Sequence, residues 1–196
     1  MTKYITNPQG IKIERREWYD SLQHDISPHF RPSSYDAQIA RCLVEMDNSP
    51  EAINFFAAHC GGLTDYAYWF YLGVCWVQYT GWSDFNLWKS LFSSGRPNRA
   101  ACLMKPTELR YFKALPKDVH CYRVHRPKEK DWLSYTLDLQ TAKKLAAFRN
   151  VSHIHEYRIP RKRLLCLFLR RHEDEILCLD KNSARLKNVI QIRVAA

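Results

Sequence analysis

The chain has 196 residues, of which 46% are apolar, 13% aromatic and 26% charged, a composition typical of a globular protein rather than a disordered one. The formal net charge is +10 and is unevenly placed, with 7 Lys and Arg against 10 Asp and Glu in residues 1–95, and 23 against 10 in residues 96–196. A basic second half suits an anionic ligand such as a dinucleotide, a nucleic acid or an acidic protein surface, or is a solvated surface that aids solubility.

Hydropathy and cysteine spacing also indicate the cellular location of the protein and the redox state of its thiols. No apolar run approaches the roughly 18–20 residues of a membrane span. The N-terminal sequence MTKYITNPQG has no apolar segment of the kind found in secretory signals. The seven cysteines form no CxxC pair and show no spacing of a zinc site or disulfide framework. We therefore expect a cytoplasmic protein with buried, reduced thiols and no membrane partner.

The first half of the chain has the pattern of consecutive helices. Capping residues and helix-ending glycines predict helices at residues 37–46 after Ser33 and Ser34, 51–60 after Ser49-Pro50, 65–79 after Thr64, and 84–92 after Ser83. A further short helix is expected at residues 107–114, within the segment 96–118 that connects the two halves. We expect residues 1–100 to form a helical subdomain.

The second half changes to the short apolar or alternating runs of strands. Strands are predicted at residues 119–124, 132–137, 153–159, 164–169, 175–179 and 189–194. One helix, residues 139–148 with Asp138 as its cap, interrupts them, and its apolar face extends to Arg149. The chain is therefore predicted to be α+β, with a strand-rich core over residues 101–196.

Three short polar motifs lie in this strand-rich half: Tyr122-Arg123, Ser134-Tyr135-Thr136 and Glu173-Asp174-Glu175. Arg123 offers a planar fork that can hold a pyrophosphate or a ribose edge through two hydrogen bonds. Ser134 and Thr136 are two residues apart on a strand, so their side chains point to one face. Taken alone, each motif also fits an ordinary solvated strand or an acidic turn.

Taken in order, these motifs resemble those of the mono-ADP-ribosyltransferases, and more closely the arginine–serine–glutamate branch shared by bacterial toxins and phage enzymes. The resemblance covers about residues 119–180 and rests on VHCYR at 119–123, LSYTLD at 133–138 with the helix TAKKLAAF at 141–148, and LLCLFLRRHEDEILCL at 164–179. It implies a split β-sheet core that binds NAD as a substrate and needs no metal. Residues 1–95 take no part in the resemblance.

The resemblance also implies roles for individual residues. The NAD-binding residues it points to are Arg123, Ser134, Thr136, Tyr135 and Val124. Glu175 takes the role of the carboxylate that binds the ribose 2′-hydroxyl and stabilises an oxocarbenium-like ribose. Glu173 takes the role of the group that orients the nucleophile or accepts its proton, and glutamate at this position accompanies arginine as the acceptor. Family members usually have glycine after the arginine, where backbone groups approach the nicotinamide, whereas this chain has Val124.

Three functions follow as hypotheses. The first is transfer of ADP-ribose from NAD to an arginine of a target protein, by a phage-encoded or toxin-like enzyme acting in the same cytoplasm. The second keeps the chemistry but changes the acceptor to water, as in an NAD glycohydrolase, or to nucleic acid, which the basic second half favours. The third is a catalytically inactive relative that binds nucleic acid or a partner protein, for which Val124 is the argument.

Two further clusters were weighed for binding. His153, His155 and Glu156 are metal-ligand types, but alternation on a strand places only two of them on one face, so no metal site is predicted. The run RKR at residues 161–163 joins two strands and is predicted to be a solvated loop, with a nucleic-acid phosphate as the alternative partner. Six glycines and the absence of a Gly-rich loop in the sequence argue against a P-loop or Rossmann fold.

Overall fold

The computed structural model describes residues 4–6, 12–14, 30–46, 49–78 and 84–192. The chain combines helices with a six-stranded antiparallel sheet and is therefore α+β, as predicted. It divides into two compact units, Asp25–Leu109 and a strand-rich unit made of Met1–His24 with Arg110–Ala196. The expected boundary after residue 100 differs from this division, which falls inside a helix instead.

The unit Asp25–Leu109 is built from helices around an aromatic core. Its helices are α1 (Ser34–Glu45), α2 (Glu51–His59), α3 (Asp65–Gln78), α4 (Phe85–Phe92), α5 (Arg99–Leu103) and the first part of α6 (Pro106–Ala114). A 3-10 turn, Cys60–Gly62, follows α2. Trp69, Trp88, Phe56 and Phe92 are fully buried, and the Trp88 ring meets that of Trp76 edge-on at 5.0 Å.

Capping chemistry sets the ends of these helices. Ser33 caps α1 in a capping box, in which its hydroxyl accepts from the backbone N–H of Asp36 and the Asp36 carboxylate accepts from that of Ser33. The prediction of Ser83 as the cap of α4 is wrong, because Asp84 caps that helix and its carboxylate accepts from the first-turn N–H groups. Helix α5 has only five residues, too few for a sequence period. The predicted stop of α3 at Tyr79–Gly81 lies outside the described residues.

The sheet of the strand-rich unit has the order β6-β7-β4-β3-β5-β8. Its strands are β3 (Asp118–Arg123), β4 (Ser134–Thr136), β5 (His153–Pro160), β6 (Cys166–Phe168), β7 (Glu175–Leu177) and β8 (Arg185–Gln191). Strand β8 begins at Arg185, before the predicted residue 189. The sequence pattern gave no sign of this first part, because residues 185–189 are exposed and lack apolar alternation. A separate hairpin that the sequence analysis did not predict pairs β1 (Tyr4–Thr6) with β2 (Lys12–Glu14).

Helix α7 (Leu139–Phe148) lies where it is predicted, with the Asp138 carboxylate accepting from the N–H groups of Gln140 and Thr141. Its buried residues Ala142 and Ala146 belong to a core cluster with residues of the sheet and its connections. The helix therefore packs on the sheet directly after β4.

Strands β3 and β4 pair at a single position, where Tyr122 faces Thr136. By contrast, β3 pairs with β5 over six positions, and β4 with β7 over three. The ladder between β3 and β4 thus consists of this one pair and includes neither Arg123 nor Ser134.

Two general properties bear on the sequence expectations. All seven cysteines are unpaired, and five are buried while Cys42 and Cys60 are half-buried. Over the part of the chain that the structure describes, no helix has the length and apolarity needed to cross a membrane.

Candidate active site

A cleft opens where β3, β4 and β7 lie side by side. Ten residues line it: Tyr122, Arg123, Val124, Ser134, Tyr135, Thr136, Leu145, Arg149, Glu173 and Glu175. All seven residues singled out from the sequence for NAD binding and catalysis are among them. The fold therefore brings together three motifs that are about 10 and 40 residues apart along the chain.

Arg123 ends β3, and its guanidinium bridges the gap to β4. Nη1 donates to the backbone oxygen of Ser134 at 2.8 Å and to its hydroxyl oxygen at 2.9 Å. The other side of the guanidinium forms a bidentate pair with Glu129, with 2.6 Å from Nη2 to Oε1 and 3.3 Å from Nε to Oε2. Four of the five N–H groups are used in this way, so the two-bond partner of Arg123 in this structure is a carboxylate.

Glu129 belongs to a buried chain of polar groups. Arg123 and Glu129 are each 12% exposed at their side chains. Oε2 of Glu129 lies 2.8 Å from Nδ1 of His125, whose Nε2 lies 2.8 Å from the hydroxyl of Tyr157. Burial alone would raise the pKa of Glu129, but the hydrogen bond from His125 and the charge of Arg123 outweigh it and lower this pKa to about 2. The pair is therefore ionised at neutral pH.

Val124 occupies the position where glycine is usual in the resembling family. Its side chain is 2% exposed and packs with Ala142, Ala146 and Ile154 beneath α7. Its backbone oxygen accepts a hydrogen bond from Nη1 of Arg149 at 2.5 Å. The valine side chain thus points into the core, and the extra bulk relative to glycine does not fill the cleft.

Thr136 ties β4 to the turn that carries the two glutamates. Its hydroxyl donates to the backbone oxygen of Glu173 at 2.6 Å and accepts from the backbone N–H of Asp138 at 3.1 Å. In the pairing of β4 with β7, Thr136 faces Glu175. Thr136 therefore fixes the position of the turn between β6 and β7 relative to β4.

Tyr135 contributes little side-chain surface to the cleft. It is 2% exposed, and its hydroxyl accepts a hydrogen bond from Nε1 of Trp132 at 2.7 Å. The Tyr135 ring packs against Tyr157 at 5.5 Å. Trp132 itself is absent from the lining of the cleft and packs edge-on against His125. Both aromatic rings therefore belong to the packing behind the cleft.

The turn between β6 and β7 presents Glu173 and Glu175. Glu173 has a side chain that is 40% exposed, and its Oε1 lies 4.0 Å from Nε of Arg171. Glu175 is the first residue of β7. Arg171 and Asp174 have φ angles of 64° and 45°. This left-handed conformation costs a residue other than glycine about 1–3 kcal/mol, so the surrounding contacts must hold the turn.

Asp174 lies between the two glutamates and is buried. It is 9% exposed, and its Oδ1 has no hydrogen-bond partner within the described part of the chain. Burial raises the pKa of Asp174 to about 6, and the nearby charge of Asp138 acts in the same direction. An unsatisfied buried carboxyl oxygen destabilises the folded state, and here it does so inside the turn that carries both glutamates.

Arg149 brings a second guanidinium into the cleft. It is the C-cap of α7 and lies one turn after Leu145. Burial lowers the pKa of Arg149, and the charges of Arg123 and Arg126 lower it further. An anion bound in the cleft would relieve this crowding of positive charge, as a phosphate or pyrophosphate does. The sequence places Arg149 at the end of an apolar helix face and gives no sign of this role.

The other clusters considered from the sequence serve different purposes. Glu156 pairs with His120 at 3.1 Å, while the rings of His153 and His155 lie 5.1 Å apart. Within the described ranges no group of three or more His, Cys, Asp or Glu side chains is arranged to hold a metal ion. The RKR run forms a 3-10 turn, and Arg161 donates to the backbone oxygen of Leu115 at 2.6 Å, just after α6.

Comparison of the chain with protein-family models, with curated proteins and with solved structures finds no match. The chemistry of the site is therefore argued from the cleft itself. Two guanidinium groups, two hydroxyls and two glutamates meet there. Such a set can bind a ligand through its phosphates and place carboxylates beside positive charge that develops during a reaction.

Proposed function

We propose that this protein is a mono-ADP-ribosyltransferase that cleaves NAD and transfers ADP-ribose to an arginine of a target protein. The observation that carries the proposal is the convergence of the three motifs on one cleft, with all seven expected residues in its lining. Each motif alone is common, whereas their meeting at one site is a much stricter condition.

The sheet supports the same proposal. The strands that carry Arg123, Ser134 and Glu175 are neighbours in the order β3-β4-β7. The ladder between β3 and β4 is reduced to one pair, and the cleft opens beside that pair at Arg123 and Ser134. We take this opening as the split of an ADP-ribosyltransferase-like core, and NAD as the ligand that enters it.

The reaction then assigns a task to each side of the cleft. Arg149, with the one N–H of Arg123 that has no partner among the described residues, holds the pyrophosphate. The bond from ribose C1′ to the nicotinamide nitrogen breaks, and nicotinamide leaves with the electron pair. Glu175 binds the ribose 2′-hydroxyl and stabilises the resulting positive charge. A guanidine nitrogen of the acceptor then bonds to C1′, and Glu173 accepts its proton.

The exposure of Glu173 fits the acceptor role. Its side chain is 40% exposed, so it can meet a side chain of another macromolecule at the mouth of the cleft. Glu175, at the start of β7, is held by the sheet instead. The two glutamates thus divide into one that faces an incoming partner and one that is fixed beside the ribose.

A nucleic-acid acceptor is the second candidate, and two exposed residues near Arg149 favour it. Arg126 is exposed and lies close enough to affect the pKa of Arg149, while Phe148 of α7 is 88% exposed. Cations combined with an exposed aromatic ring are a usual means of binding single-stranded nucleic acid. The packing of the Val124 side chain into the core is compatible with an active enzyme, and the inactive relative stays an alternative that the assay below tests.

The test is incubation of the purified protein with NAD labelled in its adenylate part and a cell lysate, with Glu175→Gln as the control. Label on a discrete protein that is absent with the variant supports the proposal. Label that nuclease treatment removes would instead identify a nucleic-acid acceptor. Free ADP-ribose alone would point to a glycohydrolase, and no consumption of NAD would contradict the whole assignment.

A further inference from the structure

The loop between β3 and β4 places Glu129 against Arg123 in a way that the proposed reaction does not use. The two side chains are each 12% exposed and meet at 2.6 Å. Both carboxylate oxygens of Glu129 are engaged, Oε1 by Arg123 and Oε2 by Arg123 and His125. The carboxylate therefore has a fixed position below the cleft surface.

His125 gives this carboxylate a second anchor. Its ring is held on one side by Glu129 and on the other by the hydroxyl of Tyr157, each at 2.8 Å. Tyr157 belongs to β5, the strand that pairs with β3 over six positions. The Glu129 carboxylate is thus tied to the most continuous part of the sheet.

The effect of this anchoring reaches Ser134 through Arg123. Nη1 of Arg123 donates to both oxygens of Ser134, across the gap where the β3–β4 ladder has ended. A serine hydroxyl that accepts a hydrogen bond directs its own proton elsewhere. Arg123 therefore sets both the position of Ser134 and the direction in which its hydroxyl can donate.

We propose that Glu129 is a positioning residue for cleavage of NAD, which acts by holding the Arg123 guanidinium against Ser134. This inference rests on the proposed function. The alternative role for Glu129 is that of an internal anion, which the pyrophosphate of NAD displaces from Arg123. Displacement would separate the half-buried Glu129 carboxylate from its guanidinium partner and leave it with the hydrogen bond to His125, and that outcome is unfavourable. The contacts of Glu129 with Arg123 and His125 favour the positioning role, which we call the brace.

The two roles predict opposite effects of Glu129→Gln. Glutamine keeps one acceptor oxygen but places its NH₂ group against the donors of Arg123 or His125, so the two-bond pairing is lost while the side-chain volume stays nearly the same. If Glu129 is a brace, kcat for nicotinamide release falls by at least about tenfold, because small displacements of positioning groups are costly, while the dissociation constant for NAD changes much less. If Glu129 is a displaceable anion, NAD binds more tightly to the variant.

Glu156→Gln is the matched control, because Glu156 also pairs with a histidine in this sheet, His120 at 3.1 Å, but does not line the cleft. The experiment measures kcat, KM and NAD affinity for the intact chain, with rates normalised to folded protein by circular dichroism. His125→Gln is the second variant in case Glu129→Gln does not fold, and it should lower kcat in the same direction by a smaller factor.

Unchanged kcat in both Glu129→Gln and His125→Gln, or tighter NAD binding by Glu129→Gln, would overturn the inference while the proposed function stands. A loss of kcat equal to that in Glu156→Gln would also overturn it, because the effect would then be general to the sheet. No nicotinamide release by the unsubstituted protein would overturn the proposed function itself, and the brace with it.

Discussion

The two walls of the cleft are built in opposite ways. On the β3 side, a continuous series of hydrogen bonds runs from Ser134 to the hydroxyl of Tyr157 through Arg123, Glu129 and His125. On the β7 side, the turn contains two residues with positive φ and the unsatisfied Oδ1 of Asp174. The β3 wall fixes the position of Arg123. The β7 wall carries Glu173 and Glu175 on a turn whose backbone conformation costs free energy. This combination is a common feature of reactive sites.

Replacement of Glu173 by alanine tests whether the strained wall serves the acceptor, and we expect the largest effect here. Transfer to a macromolecule should fall about a hundredfold, the usual contribution of a positioned base, while hydrolysis of NAD should fall much less. The backbone oxygen that accepts from Thr136 remains in the variant, so the turn should keep its position. Parallel assays of labelled target and of free ADP-ribose measure the two rates, and an equal loss of both would contradict the role assigned to Glu173.

Replacement of Asp174 by asparagine tests how far the buried carboxyl of the β7 wall lowers the free energy of unfolding. The folded-state pKa of Asp174 is raised from its ordinary value of 3.8 to about 6, so between these values the unfolded chain binds fewer protons than the folded one. The contribution of Asp174 to the free energy of unfolding therefore falls as pH rises through this window, by up to about 3 kcal/mol. Asparagine does not ionise and tolerates positive φ.

We accordingly expect Asp174→Asn to raise the free energy of unfolding at about pH 7.5 and to have little effect at about pH 4. Urea denaturation at the two pH values measures this difference. Asp180→Asn is the control, because hydrogen bonds to Ser183 and Asn182 lower the pKa of Asp180 and its replacement should give no gain at neutral pH. A stability gain of equal size at both pH values would mean that ionisation of Asp174 is not the cause.

Replacement of Arg149 by glutamine tests whether Arg149, rather than Arg123, supplies most of the attraction for the phosphate groups of the ligand. The expected effect is smaller than those above. Because the Arg123 fork is occupied by Glu129, Arg149 should supply most of the attraction for phosphate, and its loss should weaken NAD binding about tenfold. Isothermal titration measures the dissociation constant. Lys144→Gln removes a charge from the exposed face of the same helix and should leave the affinity nearly unchanged. Equal effects of the two substitutions would indicate a general electrostatic attraction instead.

Features set by local chemistry could be read from the sequence. Caps such as Ser33 and Asp138 fix the starts of their helices, and alternation in residues 153–159 marks the longest strand. The motif residues were singled out through a resemblance to a known family instead, because each motif alone also fits a solvated strand or an acidic turn. The start of β8 was missed, since its residues 185–189 are exposed and lack apolar alternation.

Long-range pairings could not be read from the sequence. Glu129 and His125 lie in a loop without a pattern, and only the fold shows that they hold Arg123. Arg96 is a second example, since its guanidinium binds the backbone oxygens of Cys60 and Leu63 more than 30 residues away. Partners of this kind depend on which segments meet in space, and a single sequence does not contain that information in local form.

Release of nicotinamide from NAD by the purified protein and by Glu175→Gln, compared at equal amounts of folded chain, tests the central claim most directly. The proposal predicts that the unsubstituted protein releases nicotinamide, and that the variant does so at least about a hundredfold more slowly with an unchanged circular dichroism spectrum. Equal release by both proteins, or none by either in the presence of lysate, would contradict the account.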